Sequence, residues 1–296
     1  MKRLLVVLSC SLITSICFSQ EYLKVNNENL SCSVGDGVAY TVNIPQASLR
    51  DVQKEWKQYV KKTSRGKLVE TGNEISMPLS KLPALSDSAI TVVAKIYLND
   101  IYIKVDAFFK DYSGFISEKS TLEKHNSAKA YLRVFAIDQY KDAVKDEIKV
   151  EEKTLNTLNN KLGDLVNYNL RTKKDTESRK REIETNTQEL ITNKKEVQIR
   201  QKDIDSQRSY VVSLSVKDDP FEKEAKKKLK DMEGEVSKLM RTNEKLNDRN
   251  STSEAAIEEN GRKIIENEKQ QEEKKIEIAK QTAKIKGIKE KFDGII

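Results

Sequence analysis

The chain has 296 residues, with 54 Lys and Arg against 47 Asp and Glu, a net charge of +7, and 34% charged residues overall. One histidine and three cysteines leave no set of ligands for zinc and no choice of partners for a Ser-His-Asp or Cys-His arrangement. The two charge signs are interleaved, as on solvated helix faces, so the basic balance does not point to nucleic acid.

Residues 1–19 read as a secretory signal. Lys2 and Arg3 precede an apolar run from Leu4 to Phe18, and Cys17 and Ser19 are small residues at the −3 and −1 positions of a cut after Ser19. The run is short for a membrane span and a polar chain follows, so no transmembrane segment is expected after cleavage. Cleavage would remove Cys10 and Cys17 and leave Cys32 alone, without an intrachain disulfide.

Residues 20–36 read as an N-terminal lead ending in the turn signal Gly35-Asp36-Gly37. An α+β domain is expected over 37–126. Val38, Tyr40, Val42 and Ile44 alternate as in a half-buried strand, which Pro45 ends. Ser48 with Asp51 forms a capping box, and Leu49, Val52, Trp56 and Tyr59 or Val60 give the inner face of a helix stopped at Gly66. Thr71-Gly72-Asn73 separates two short strands. The strongest strand signals are 89–98 and 101–112, joined at Asn99-Asp100. In the second of these, Ile101, Ile103, Val105, Ala107 and Phe109 face the core. Tyr102, Lys104, Phe108 and Lys110 share the other face with Asp106, and these four are the candidate partner-binding surface.

From residue 127 onward the periodicity is helical. A long helix is expected over 127–212, a turn over 213–220 containing Pro220, and a returning helix over 221–293. A stretch of about 60 residues occurs twice, as 153–211 and 227–285, offset by 74 positions without a gap. Leu155, Leu165, Asn169, Ile183, Asn186, Asn193 and Gln207 recur as Leu229, Leu239, Asn243, Ile257, Asn260, Asn267 and Gln281. Apolar residues step by three and four along a seam: Leu155, Leu158, Leu162, Leu165, Ile183, Leu190, Val197 and Ile204 in the first copy, and Leu229, Met232, Val236, Leu239, Ile257, Ile264, Ile278 and Ile285 in the second. The offset is ten heptads plus four, so a turn near 216 relieves the mismatch, and the two copies pair as an antiparallel coiled-coil hairpin. Two alternatives follow from the same residues. In a hairpin folded at 216 the seam asparagines would face mostly apolar residues, whereas in a parallel oligomer each faces its own copy. A capping box at Ser251 and Glu254 would split the arms into four shorter helices.

The motifs that carry chemistry are few. His125 stands in a polar segment and reads as a surface residue; Ser64-Arg65-Gly66-Lys67 matches S-x-x-K without the other motifs of penicillin-recognising enzymes. Asp106 and Asp111 lie on or near a strand with no evident cleft, and no phosphate loop, cofactor motif or metal set is present. The expectation is a non-catalytic, exported interaction or scaffold protein of a Gram-negative-type cell envelope. It would bind a protein partner or itself through its helices, touch envelope surfaces peripherally, and need no cofactor. One alternative is a periplasmic holdase. The basic charge, β-containing body and long helical arms resemble in outline the Skp/OmpH-type chaperones of Gram-negative bacteria, which would imply binding of unfolded client protein. A small hydrolase head on a stalk is the other.

Overall fold

The structure is a computed structural model that describes residues 23–215 and 220–296. The expected signal over 1–19 and residues 216–219 of the expected turn lie outside the described residues. The chain divides into two units, one reaching to Thr157 and including Ala279–Ile296, the other spanning Leu158–Ile278.

The first unit is built on an antiparallel sheet. Its strands are β1 Asn26–Cys32, β2 Gly35–Pro45, β3 Val69–Thr71, β4 Glu74–Ser80, β5 Ile90–Asn99, β6 Tyr102–Asp111 and β7 Gly114–Phe115, with helix α1 Leu49–Lys61 between β2 and β3. The order across the sheet is β1-β2-β6-β5-β4-β3, and β7 pairs with β6. Two long helices follow, α2 Leu122–Ser215 and α3 Glu222–Asp293, and each contributes to both units.

The local signals act as their chemistry dictates. Ser48 caps α1 by accepting from the Asp51 N–H at 3.1 Å, and its hydroxyl donates to the Asp51 carboxylate at 2.5 Å. Val52, Trp56 and Val60 are the buried face of α1. The β5–β6 hairpin turns at Asp100-Ile101, one residue later than expected, with Asp100 at φ 55° and Ile101 exposed rather than on the core face. Asp tolerates this left-handed conformation better than a branched residue does, which sets the turn there. Gly66 does not stop α1, which ends five residues earlier at Lys61. Its role is close approach: a Cβ at this position would overlap the Pro78 carbonyl.

One face of the sheet carries the main core. Tyr40, Val42 and Ile44 of β2, Ile75 and Met77 of β4, Ile90, Val92, Ala94 and Ile96 of β5, and Ile103, Val105, Ala107 and Phe109 of β6 are buried there. Helix α1 lays Trp56 over this face, and the start of α2 adds Ala128, Leu132, Phe135 and Ala136. The Trp56 and Phe135 rings meet edge to face at 4.8 Å. The end of α3 closes the cluster with Ile288 and Phe292, Ile295 just after it joins them, and the Arg133 guanidinium donates to the Ile296 carbonyl at 3.1 Å.

Two boundaries differ from the expected ones for identifiable reasons. The N-terminal lead is structured: Leu23 and Val25 enter the core and Asn26–Cys32 forms β1. This edge strand has the sequence NNENLSC, with no apolar alternation to announce it, and its order comes from seven paired residues against β2. Helix α2 begins at Leu122 rather than 127, after Thr121, whose hydroxyl accepts from the Lys124 N–H at 3.4 Å.

In the second unit, α2 packs against α3 with opposite chain direction. Lys173 pairs with Glu268 at 2.9 Å, Arg208 with Glu233 at 2.7 Å, and Arg200 with Glu235 between them. Near the close of α2, Val211 and Leu214 pack on Ala225 and Leu229. Helix α3 passes through Ser251 and Glu254 without a break, so the capping signal there does not divide it. The helical signal around it is continuous, and an interior Ser-x-x-Glu does not outweigh it.

Candidate functional site

Alternation along β6 places Tyr102, Lys104, Phe108 and Lys110 on the face opposite the main core, as the period of two requires. That face is not open. β2 pairs with β6 only from Tyr40 to Pro45, so Gly35–Ala39 remains paired to β1 alone. This end of the β1–β2 hairpin lies across the second face. The Lys95 ammonium of β5 donates to the Ser31 carbonyl at 2.6 Å, and Lys110 of β6 donates to the Val34 carbonyl at 2.8 Å. The Ser33 N–H donates to both carboxylate oxygens of Glu74 in β4 at 3.1 Å. Three charged side chains from three neighbouring strands thus hold the main chain of one turn. Beneath it, Phe108, Ala39 and Val93 are fully buried, with Leu30, Cys32, Val34 and Phe115 packed around them. Phe108 is therefore core, and Lys110 is spent on the hairpin, lying 5.1 Å over the Phe115 ring. Tyr102 accepts from the Asn99 amide at 3.1 Å beside the β5–β6 turn.

Lys104 is the centre of a polar network. Its ammonium meets Glu28 of β1 at 2.9 Å and Asp106 at 3.6 Å, the Tyr97 hydroxyl donates to Asp106 at 2.8 Å, and Thr41 donates to Glu28 at 3.1 Å. Burial raises the Asp106 carboxyl pKa, against the lowering effects of Tyr97 and Lys104. Burial opposes the Lys104 charge, yet the Glu28 hydrogen bond and the Asp106 charge outweigh it and its pKa rises. Burial and the Asp106 contact also raise the Tyr97 phenol. The set ties β1 to β2, β5 and β6.

His125 is buried rather than exposed. Its Nδ1 lies 3.0 Å from the Tyr40 hydroxyl, under the main core. Burial, then the nearby Lys129 charge, lowers its pKa, and burial pushes the Tyr40 phenol up to about 12. The polar neighbours in sequence concealed this, because helix α2 starts before His125 and turns it inward. Cys32 is half-buried in the hairpin cluster, its Sγ 3.2 Å from the Gly35 carbonyl oxygen. Among the described residues no three His, Cys, Asp or Glu side chains are placed to hold a metal ion. No helix among them is long and apolar enough to cross a membrane.

On the helices, all sixteen expected seam residues, Leu155 through Ile285, occupy buried or half-buried positions. Between the apolar positions the same three-four stepping is carried by polar residues: Asn169, Thr172, Asn186 and Asn193 of α2, and Ser253, Asn260 and Asn267 of α3, are buried. Asn186 and Asn193 face asparagines rather than apolar side chains. The Asn186 amide donates to Asn250 at 2.8 Å and the Asn193 amide to Asn243 at 3.0 Å. Both pairs have their midpoint at position 218. A fold-back at 216 would instead set Asn186 against Leu246 and Asn193 against Leu239. The expected register between the helices was four positions off, which accounts for the mistaken expectation. Asn243 and Asn250, the missing partners, are one heptad apart, as are Asn186 and Asn193, and that matched spacing was the available signal.

The second unit also has two grooves, of about 1050 Å³ beside Leu165, Tyr168 and Asn267 and about 630 Å³ beside Ile199 and Met232. No protein-family model and no curated protein matches the chain.

Proposed function

We propose that this is an exported, non-catalytic interaction and scaffold protein of the bacterial envelope, with α2 and α3 forming an antiparallel coiled-coil hairpin. The observation that carries the reading is the stepping of non-exposed side chains by three and four, from Leu155 to Leu214 in α2 and from Ala225 to Phe292 in α3. A sequence that keeps this spacing over so many turns is organised around helix-to-helix contact. In the α+β unit, Glu74, Lys95 and Lys110 are engaged in holding a hairpin across the sheet, which accords with the same reading. Export rests on the signal read in residues 1–19.

The test is site-specific photo-crosslinking in cells, with the reactive residue placed at Tyr168 or Ile199 beside the two grooves. A scaffold gives one discrete adduct, and a one-residue insertion after Gly234, which throws the following seam out of step, abolishes it. A ladder of many adducts, together with suppression of aggregation of an unfolded outer-membrane protein at near-stoichiometric amounts, would replace the scaffold by a holdase. Cell fractionation tests export: deleting residues 2–19 retains the protein in the cytoplasm.

A further inference from the structure

Helix α3 opens with Glu222-Lys223-Glu224-Ala225-Lys226-Lys227-Lys228-Leu229-Lys230. Ala225 and Leu229 turn inward and pack on Val211 and Leu214 of α2. That orientation sends Lys223, Lys226, Lys227 and Lys230, at i, i+3, i+4 and i+7, along one outward stripe. All four are exposed. Lys226 pairs with Glu222 one turn back, and among the described residues no ion pair engages the other three. Glu224 and Asp231 lie beside the stripe and do not interrupt it.

Two apolar side chains adjoin it. Phe221, immediately before the helix, is 62% exposed, and so is Val212 of α2. The Arg208–Glu233 ion pair fixes which flank Val212 occupies. Val212 lies one turn beyond Arg208 on the same side of α2, while Lys230 and Lys226 lie one and two turns before Glu233 on the same side of α3. Val212 and the lysines therefore share a flank.

We infer that this lysine stripe, with Phe221 and Val212 beside it, docks on anionic lipid headgroups. The inference goes beyond the scaffold reading and stands without it. A lysine is a point charge on an apolar stem, so its methylenes lie against the acyl boundary while the ammonium reaches phosphate. An aromatic and an aliphatic side chain beside the charges supply the apolar contact that an interfacial surface uses. A nucleic-acid backbone would be served by the charges alone and would leave Phe221 and Val212 in water. Each lysine near an anionic surface contributes roughly a fivefold increase in partitioning, and salt screens it.

The experiment is vesicle sedimentation with the purified full-length protein. Vesicles of phosphatidylcholine alone are compared with vesicles in which about a third of the lipid is phosphatidylglycerol, at low and high salt. The protein sediments with the anionic vesicles at low salt and stays in solution with the neutral ones. Combined Lys223→Gln, Lys226→Gln, Lys227→Gln and Lys230→Gln lowers binding by at least a hundredfold, and Phe221→Ser lowers it several-fold. Combined Lys174→Gln, Arg181→Gln, Lys195→Gln and Lys202→Gln, which removes four exposed cations of α2 elsewhere in the same unit, leaves most of the binding. Circular dichroism verifies that both quadruple variants keep their helix content. The inference is overturned by absence of binding to anionic vesicles, by equal binding to both vesicles, by equal loss in the two quadruple variants, or by binding to duplex DNA as tight as to the vesicles.

Discussion

The asparagine pair across the helices gives the sharpest energetic test. Asn186 is 8% exposed, and its amide donates to Asn250 at 2.8 Å; the Asn250 amide in turn reaches the Thr187 hydroxyl at 3.4 Å. Asn250→Leu leaves the Asn186 N–H buried without an acceptor, a cost of about 1–3 kcal/mol. The new leucine recovers about 1 kcal/mol, because position 250 is only half-buried and its apolar surface is partly removed from water. Asn186→Leu strands Asn250 at that half-buried position with Thr187 still in reach, so it costs less than about 1 kcal/mol. The double replacement removes both polar groups and is neutral or stabilising, as for other buried polar pairs replaced by apolar residues. The expected coupling is therefore about 1–2 kcal/mol, measured as a double-mutant cycle by urea denaturation of the full-length protein followed by far-ultraviolet circular dichroism. Additive single effects would refute contact between the two residues. A parallel assembly makes the opposite prediction. There Asn186 faces its own copy, Asn186→Leu alone removes both members of the pair, and it stabilises the protein with a melting temperature that rises with concentration.

Other consequences follow from the α+β unit. His125 has a pKa below the ordinary value of 6.5, so the unfolded chain binds that proton first. The stability it contributes is complete above pH 6.5 and is lost as the pH falls below it; melting curves of the wild type against His125→Gln should show a flatter acid limb in the variant. Gly37 lies under the Phe115 ring, where a Cβ would overlap it. Gly37→Ala should cost about 1–3 kcal/mol by denaturation, and Phe115→Leu in the same chain should recover part of it. Trp56 is fully buried, and its indole N–H lacks a partner among the described residues. Trp56→Ala should cost about 3–5 kcal/mol, and Trp56→Phe distinctly less, because it also removes the unsatisfied donor.

What the sequence revealed follows the strength of local signals. The Ser48–Asp51 cap, the inward face of α1 and the β5–β6 pair were legible because each is written in adjacent residues by alternation, capping chemistry or helical period. The long helices were legible because a three-four pattern sustained over many turns has few other readings. β1 was not, because NNENLSC owes its strand conformation to pairing with β2 and to Lys95, Lys110 and Glu74, which are distant in sequence. The same cause concealed the fate of the candidate surface on β6. Alternation correctly grouped Tyr102, Lys104, Phe108 and Lys110, but which layer covers a sheet face is a tertiary fact that no period records.

The polar positions of the helix seam show a second way in which local reading stops short. Asn186 and Asn193 look like defects in an apolar stripe until their partners are placed, and the partners depend on where the chain turns. With Asn243 and Asn250 opposite, the same residues set a register: sliding one helix by a heptad leaves one asparagine of each helix without its counterpart, at about 1–3 kcal/mol for each buried group. Leucine pairs at these positions would pack more favourably yet tolerate such a slip, because every apolar layer resembles the next. Two long helices with a regular apolar stripe have several misaligned pairings available. The asparagines discriminate against these, so the seam gives up some burial at two layers in exchange for a single alignment of the two helices.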